Sequence, residues 1–392
     1  MTPRLGHRSW VLAPVLVLPL LAGCQERSAK QEEPAVPFVF RSLNLRQQDP
    51  QGRPAWQLTS PEARYDLSRK VAQARELRGT IFSGGKPLYR LSATSGTVLN
   101  DGALIQLEGM ATLERLGPQP VVVRARRVRW YPRQERMELD QRPTASDRDL
   151  QISADRALFL INQDKLELRG SPAFTRRVKP ESIVLTASSA DWYPTSGNLQ
   201  APGPVRAVRR IAKGKPPQVL TAPRLTGNSI QQRLLLQGPV RFIDPGAKAQ
   251  LVGGETAIEL SRQAVISRRP FSGVIDKLQL AGEGFELLNA KTLAVITPGC
   301  VLRQPGEILT ASRCQWNWTT QAIEARDGVV LQRQANEQIT RARRLDGRIG
   351  ADGLAVFTSP GSRVNTRVRL PSKGGPKQES GSSQSARPRI VL

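Results

Sequence analysis

Ten times along this chain a small residue is followed three positions later by a usually apolar one and, two further on, usually by a bulky one. The series runs from Ser60-Ala63-Tyr65 and Ala93-Gly96-Val98 through Ala125-Val128-Trp130, Ala154-Ala157-Phe159 and Ala187-Ala190-Trp192. It ends at Ala311-Cys314-Trp316 and the degenerate Ala342-Leu345-Gly347. The first members stand 33, 32, 29, 33, 35, 31, 29, 29 and 31 residues apart. A fixed period of this size means one supersecondary unit stacked many times.

The spacing inside the unit identifies it. Ile105, Leu107, Gly109, Ala111 and Leu113 share one parity, as do Leu234, Leu236, Gly238, Val240 and Phe242. Alternation of this kind is the pattern of a half-buried strand. A step of three followed by a step of two changes parity, which one extra residue in a strand accomplishes, so each unit carries a β-bulge or bend. Turn formers such as Asn100-Asp101-Gly102, Pro132-Arg133-Gln134 and Pro194-Thr195-Ser196-Gly197 separate the strands and read as hairpin connections. Gly79, Gly109, Gly170 and Gly238 sit mid-strand, where glycine marks a bend or a close backbone approach. The expected architecture is all-β and elongated, about twenty bent antiparallel strands in hairpin repeats of about 31 residues.

A chain of 392 residues ordinarily forms two or three domains. Here the repeat fills residues 38–370, and the one interruption that invites a boundary is Arg209 to Pro217. The tail, 371–392, is rich in Gly, Ser and Lys and is expected to be disordered and basic. The 58 Lys+Arg against 33 Asp+Glu leave a net charge of +25, which favours an anionic partner. Zinc-finger spacing and RNA-binding aromatic motifs are missing from the sequence, so nucleic acid is not the expected one.

The N-terminus bears on compartment. Arg4 and Arg8 precede an apolar run from Trp10 to Leu20, interrupted by Pro14 and Pro19 and short for a permanent span. Leu21-Ala22-Gly23-Cys24 then resembles a bacterial lipobox. The expectation is a signal peptide over 1–23, lipid on Cys24, and a polar tether over 24–37 that holds an exported protein to a membrane. Cys300 and Cys314 flank the turn-forming run Gln304-Pro305-Gly306-Glu307. If that run reverses the chain symmetrically they face one another, and an oxidising compartment permits a disulfide. Equally, Cys314 holds the repeat position of Val128 and Ala190, where a free thiol packs as a small hydrophobe.

Catalytic chemistry is sparse. The single histidine, His7, lies in the segment expected to be removed, which excludes histidine-based triads and metal sites from the mature chain. No glycine-rich phosphate loop is present. Asp140, Asp155, Asp191 and Asp327 fall near repeat positions, but acids scattered through a repeat read as surface or turn residues rather than a catalytic pair. Neither an enzyme nor a cofactor is expected.

The unit, a small-x-x-apolar-x-aromatic strand, a turn, then Leu-x-Gly-x-Val, resembles the repeat of the OstA-like proteins of lipopolysaccharide export, the LptC group among them. Ile152-Ser153-Ala154-Asp155 through Leu166-Glu167-Leu168-Arg169-Gly170 carry it, as do Leu220-Thr221-Ala222 through Leu236-Gln237-Gly238-Pro239-Val240. The resemblance implies an open β-jellyroll bent into a V, a β-taco, in a periplasmic protein held at a membrane, with the inner membrane favoured. It implies lipopolysaccharide or a related glycolipid as ligand. Other jellyroll proteins of the export bridge and an inner-membrane ABC transporter are the implied protein partners. The chain departs from LptC proteins in its length and in carrying a lipobox in place of an anchoring helix.

A stack of V-shaped hairpins encloses a groove lined by one parity of side chains. The candidate lining is Leu107, Leu113, Leu168, Trp192, Leu236, Phe242, Leu287, Trp316 and Leu331. Such a trough shelters acyl chains, because burying each methylene gives about 0.8 kcal/mol. At about 4.8 Å per step, twenty strands extend some 90 Å, or half that if they divide between two sheets. The rival reading is a structural or polysaccharide-binding envelope lipoprotein with a filled core and no conduit.

Overall fold

The computed structural model describes residues 38–369 apart from 118–119, 148–149, 179–180, 212–213, 335–336 and 349–354. His7, Cys24, the expected signal segment and tether, and the tail over 371–392 lie outside the described residues. Among the described residues there are 36 strand segments, all paired antiparallel into one continuous hydrogen-bonded system. The remaining regular structure is three short 3-10 turns.

The segments outnumber the twenty strands expected because most strands are broken in the middle. Arg136–Asp140 and Thr144–Asp147 are two halves of one bent strand; Leu150–Ser153 and Arg156–Leu160 are the next. Six strands pass the bend unbroken, for example Val122–Tyr131 and Ala322–Arg333. One set of halves forms a front sheet and the other a back sheet, and the bends form the vertex between them. Phe174 on the front pairs with Leu185, while Leu166 on the back pairs with Trp192. Successive bent strands are joined alternately at the front and back tips, so each is bonded only to the strands before and after it.

The repeated triplet is the vertex. Ala125 and Val128 are both buried, while Arg126 and Arg127 between them are both exposed. Two consecutive outward residues are the parity break, and they turn the strand from the front sheet into the back sheet. Ala222 and Leu225 flank exposed Pro223 and Arg224 in the same way. Several returning strands turn through left-handed backbone: Gly109 has φ 85°, Gly170 74° and Asp327 62°. Asp is one of the few side chains that tolerates this region, which is why it replaces glycine there. At Gly109 a Cβ would lie 2.6 Å from Thr94 Cβ, so the turn needs its glycine twice over. Gly79 differs: the bend of its strand falls at Glu76, φ 49°, and Gly79 serves a close approach, 2.5 Å from a built Cβ to Leu58 Cδ2.

The Arg209–Pro217 interruption is a front-tip connection. Val205–Arg210 and Gln218–Ala222, on either side of it, pair directly, and ladder pairing continues past it without a break. The cysteines are bonded, with a Cα–Cα distance of 5.8 Å, but not across the hairpin. Gln304 pairs with Glu307, so the register brings Cys300 opposite Ala311. Cys314 lies beyond the bend at Ser312, in the back sheet beside Ile296. The disulfide therefore ties front sheet to back sheet at the vertex.

Candidate functional site

Two inward rows of side chains run the length of the stack. On the front sheet, successive ladder partners are Leu91, Leu113, Val123, Ala145, Ile152, Phe174 and Leu185, continuing through Leu220, Phe242 and Leu251. On the back sheet the row runs Ile105, Trp130, Met137, Phe159, Leu166 and Trp192, then Leu234, Ile258, Val265 and Leu287. Register conserves parity from strand to strand, so one alternation pattern in sequence becomes one continuous internal wall.

The two walls do not stay in contact throughout. In the N-terminal half they are packed against each other. Trp56 on the front meets Trp130 on the back edge-to-face at 5.5 Å, and Tyr89 meets Phe159 at 5.3 Å. At the tips, Tyr89 Oη donates to Asp164 Oδ1 at 2.7 Å, closing the mouth. Burial, followed by the neighbouring Asp164 carboxylate and this hydrogen bond, pushes the Tyr89 phenol well above its usual range.

From about Leu220 to Trp316 the packing changes. Leu220, Phe242, Leu251 and Leu280 on the front are only half-buried, and so are Leu234, Ile258, Leu287 and Trp316 facing them from the back. The vertex under them stays closed: Leu225, Leu236, Thr256, Ser267 and Cys300 are all buried. Over the strands from Leu220 to Leu287 both walls are half-exposed above a packed vertex, whereas Leu302 and Leu309, next in the front row, are buried. Beyond them the interior closes again around Ile323, Leu331, Thr340 and Leu345. Between the two solid cores, apolar side chains of both walls are thus only partly covered.

The front lip of this stretch is polar. Arg209 binds Glu181 through two hydrogen bonds, Nε to Oε2 at 3.0 Å and Nη2 to Oε1 at 2.8 Å. It also donates to Gln218 Oε1 at 3.3 Å, and Gln218 donates on to Asp244 at 2.7 Å. At the far boundary Arg333 and Gln304 both donate to Glu307, at 2.7 and 2.9 Å. Burial pushes the Glu307 carboxyl up, and Arg333 partly offsets it.

The nine residues expected to line a groove therefore divide. All nine face the interior, but Leu107, Leu113, Leu168, Trp192, Leu236 and Leu331 are core, with Trp192 at 0% exposure. Phe242, Leu287 and Trp316 are only half-buried. Leu220, Leu234, Leu251, Ile258 and Leu280, on the same walls, are absent from the expected set although they share its parity. Among the described residues no cluster of His, Cys, Asp and Glu is arranged to hold a metal, and no helix is long and apolar enough to cross a membrane.

Comparison with curated proteins yields no match. Fourteen chains of solved structures match. One is LptH of Pseudomonas aeruginosa, described as the LptA homologous periplasmic component of the conserved lipopolysaccharide transport device. It is 14% identical, with a TM-score of 0.24, over 27% of this chain and 76% of that one. The family match is with the model described as "Lipopolysaccharide-assembly, LptC-related". Through residues 11–171 this chain carries the sequence pattern of that LptC-related family.

Proposed function

We propose that this protein is a membrane-anchored periplasmic component of lipopolysaccharide export. In this reading it shelters the acyl chains of a glycolipid in the trough between Leu220 and Trp316 and passes the molecule toward the outer membrane. The observation that carries the reading is the facing pair of half-exposed apolar walls above a closed vertex. The glycan stays in water beyond the polar lip of Glu181, Arg209, Gln218 and Asp244. Because the N-terminal half is packed solid, acyl chains enter through the mouth of the trough rather than along the whole stack.

Residues 1–23 act as a lipoprotein signal and Cys24 as the lipidated residue. Residues 24–37 are the tether and 38–370 the jellyroll. The inner membrane, with an ABC transporter as the source of glycolipid, is the favoured site. Open edges offer docking for neighbouring jellyrolls. Phe38, Val39 and Phe40 form an exposed terminal strand, and Asn365–Arg367 borders the other end. Unpaired edges of this kind add strands from a partner through main-chain hydrogen bonds. The protein works as a carrier and performs no catalysis.

Site-specific photocrosslinking in cells tests the proposal, with a photoreactive residue at Phe242 or Leu287 and a surface control at Arg126. Glycolipid adducts at the interior positions and none at the control are expected. Folded, exported protein that captures no glycolipid at either interior position would overturn transport and leave the envelope scaffold as the better reading.

A further inference from the structure

The outer surface of the front sheet is set apart from the outer back sheet by its lack of acids. Two outward rows cross it from Glu181–Ala187 to Gln338–Arg348, eleven strands in register. The row nearer the vertex passes through Arg206, Thr221, Arg241 and Val252 and ends at Arg341. The row nearer the tips runs Val184, Val208, Val219 and Ile243, then passes Val274 and Arg303. Neither row contains a carboxylate. Among the described residues Arg206, Arg241, Arg303 and Arg341 are exposed and have no ion-pair partner. The outer back sheet, by contrast, carries carboxylates in its outward rows, and several bases there are paired with them: Lys165 and Arg169 with Glu167 and Asp191, Arg344 with Glu324 and Asp346.

The same front face also exposes large aliphatic side chains on adjoining strands: Ile243 is 44% exposed, Val252 37% and Val274 39%. Eleven strands at about 4.8 Å per step make a surface some 48 Å long. Unpaired arginines between exposed β-branched residues, with no acid to oppose an anion, complement a surface that presents phosphates over hydrocarbon.

We propose that the outer front sheet from Glu181 to Arg348 lies against an anionic phospholipid bilayer. Arg206, Arg241, Arg303 and Arg341 meet lipid phosphates, and Ile243, Val252 and Val274 rest at the headgroup boundary. This surface is the opposite side of the sheet from the trough, and the inference stands independently of what the trough holds. Each basic side chain held near such a surface raises partitioning several-fold.

Co-sedimentation of the full chain with vesicles tests this, comparing phosphatidylcholine alone with phosphatidylcholine containing phosphatidylglycerol. The front variant carries Arg206→Gln, Arg241→Gln, Arg303→Gln and Arg341→Gln. The control carries Arg156→Gln, Arg233→Gln, Arg313→Gln and Arg348→Gln, exposed positions on the back sheet or its side of the bend, and loses the same charge. The N-terminal apolar segment is common to all three proteins and cancels. The front variant is expected to lose at least about tenfold in partitioning onto the anionic vesicles, and the control less than about twofold. Equal losses would mean that only net charge is read, and no preference of the parent protein for anionic vesicles would be equally fatal. A photoreactive residue at Val274 in cells needs no charge variant: a phospholipid adduct supports the proposal, and a protein adduct overturns it in favour of a protein interface.

Discussion

Tyr89, at the tip of the front sheet, donates its phenolic hydrogen to Asp164, 75 residues later at the tip of the back sheet, at 2.7 Å. The other Asp164 oxygen accepts from the backbone N–H of Thr195, also at 2.7 Å, so the carboxylate is fixed from the next turn along. This contact spans the mouth of the V. Where it stands, the interior is closed.

Replacing Tyr89 with Phe should lower unfolding free energy by about 1.5–3 kcal/mol, the range for a hydrogen bond to a charged group. The effect depends on pH. The folded state raises the phenol above its ordinary value of 10.0. The stabilisation is therefore complete below pH 10 and fades as pH rises, because the unfolded chain ionises first. Urea titrations of parent and variant on both sides of that value should show the parent's advantage shrinking at the alkaline one.

Trp192 and Trp316 hold the same place in their repeats, but one is core and the other is half-buried. Trp192→Ala should cost about 3–5 kcal/mol. Trp316→Ala should cost clearly less, because part of the ring is already hydrated. Chemical denaturation midpoints decide it, and equal losses would mean that the walls are as tightly packed at Trp316 as at Trp192.

The Cys300–Cys314 bond closes a short loop, with a sequence separation of 14. Chain entropy assigns a cross-link of this span about 3 kcal/mol. A Cys300→Ser, Cys314→Ser double variant should melt earlier by a margin that reducing agent also produces in the parent. Because both sulfurs are buried, reduction of the folded parent should be slow without denaturant.

Glu307 is raised by burial more than Arg333 restores it. A carboxyl with a folded pKa above its unfolded value gives its full stabilisation at low pH and loses it as pH rises. The unfolding free energy of the parent relative to Glu307→Gln should therefore fall from acid toward neutral pH. A rise instead would show that the ion pair with Arg333 outweighs burial.

The vertex was legible in sequence because it is a local event. Ala125-Val128-Trp130 announces its bend through spacing alone, and the same step recurs at Ala187-Ala190-Trp192. The disulfide was half legible: both cysteines lie at the vertex, but pairing them across a hairpin ignores the bend that carries Cys314 into the other sheet. Inward parity was legible for all nine candidate lining residues. Their division into fully buried and half-buried was not, because it depends on how closely opposed sheets pack. That is decided by contacts such as Trp56 on Trp130, between residues with no sequence relation. Alternation reports which side of a sheet a residue takes and is silent on what stands opposite.

Each bent strand is hydrogen-bonded only to its two neighbours, and this makes length a modular property. Inserting one further repeat of two bent strands would advance the stack by about 10 Å while leaving existing pairings intact on either side. A lineage of such chains could tune its reach across a gap by duplicating or deleting units, without redesigning a core. The same arrangement confines damage: a lesion in one repeat weakens its two interfaces and leaves distant repeats to fold on their own terms.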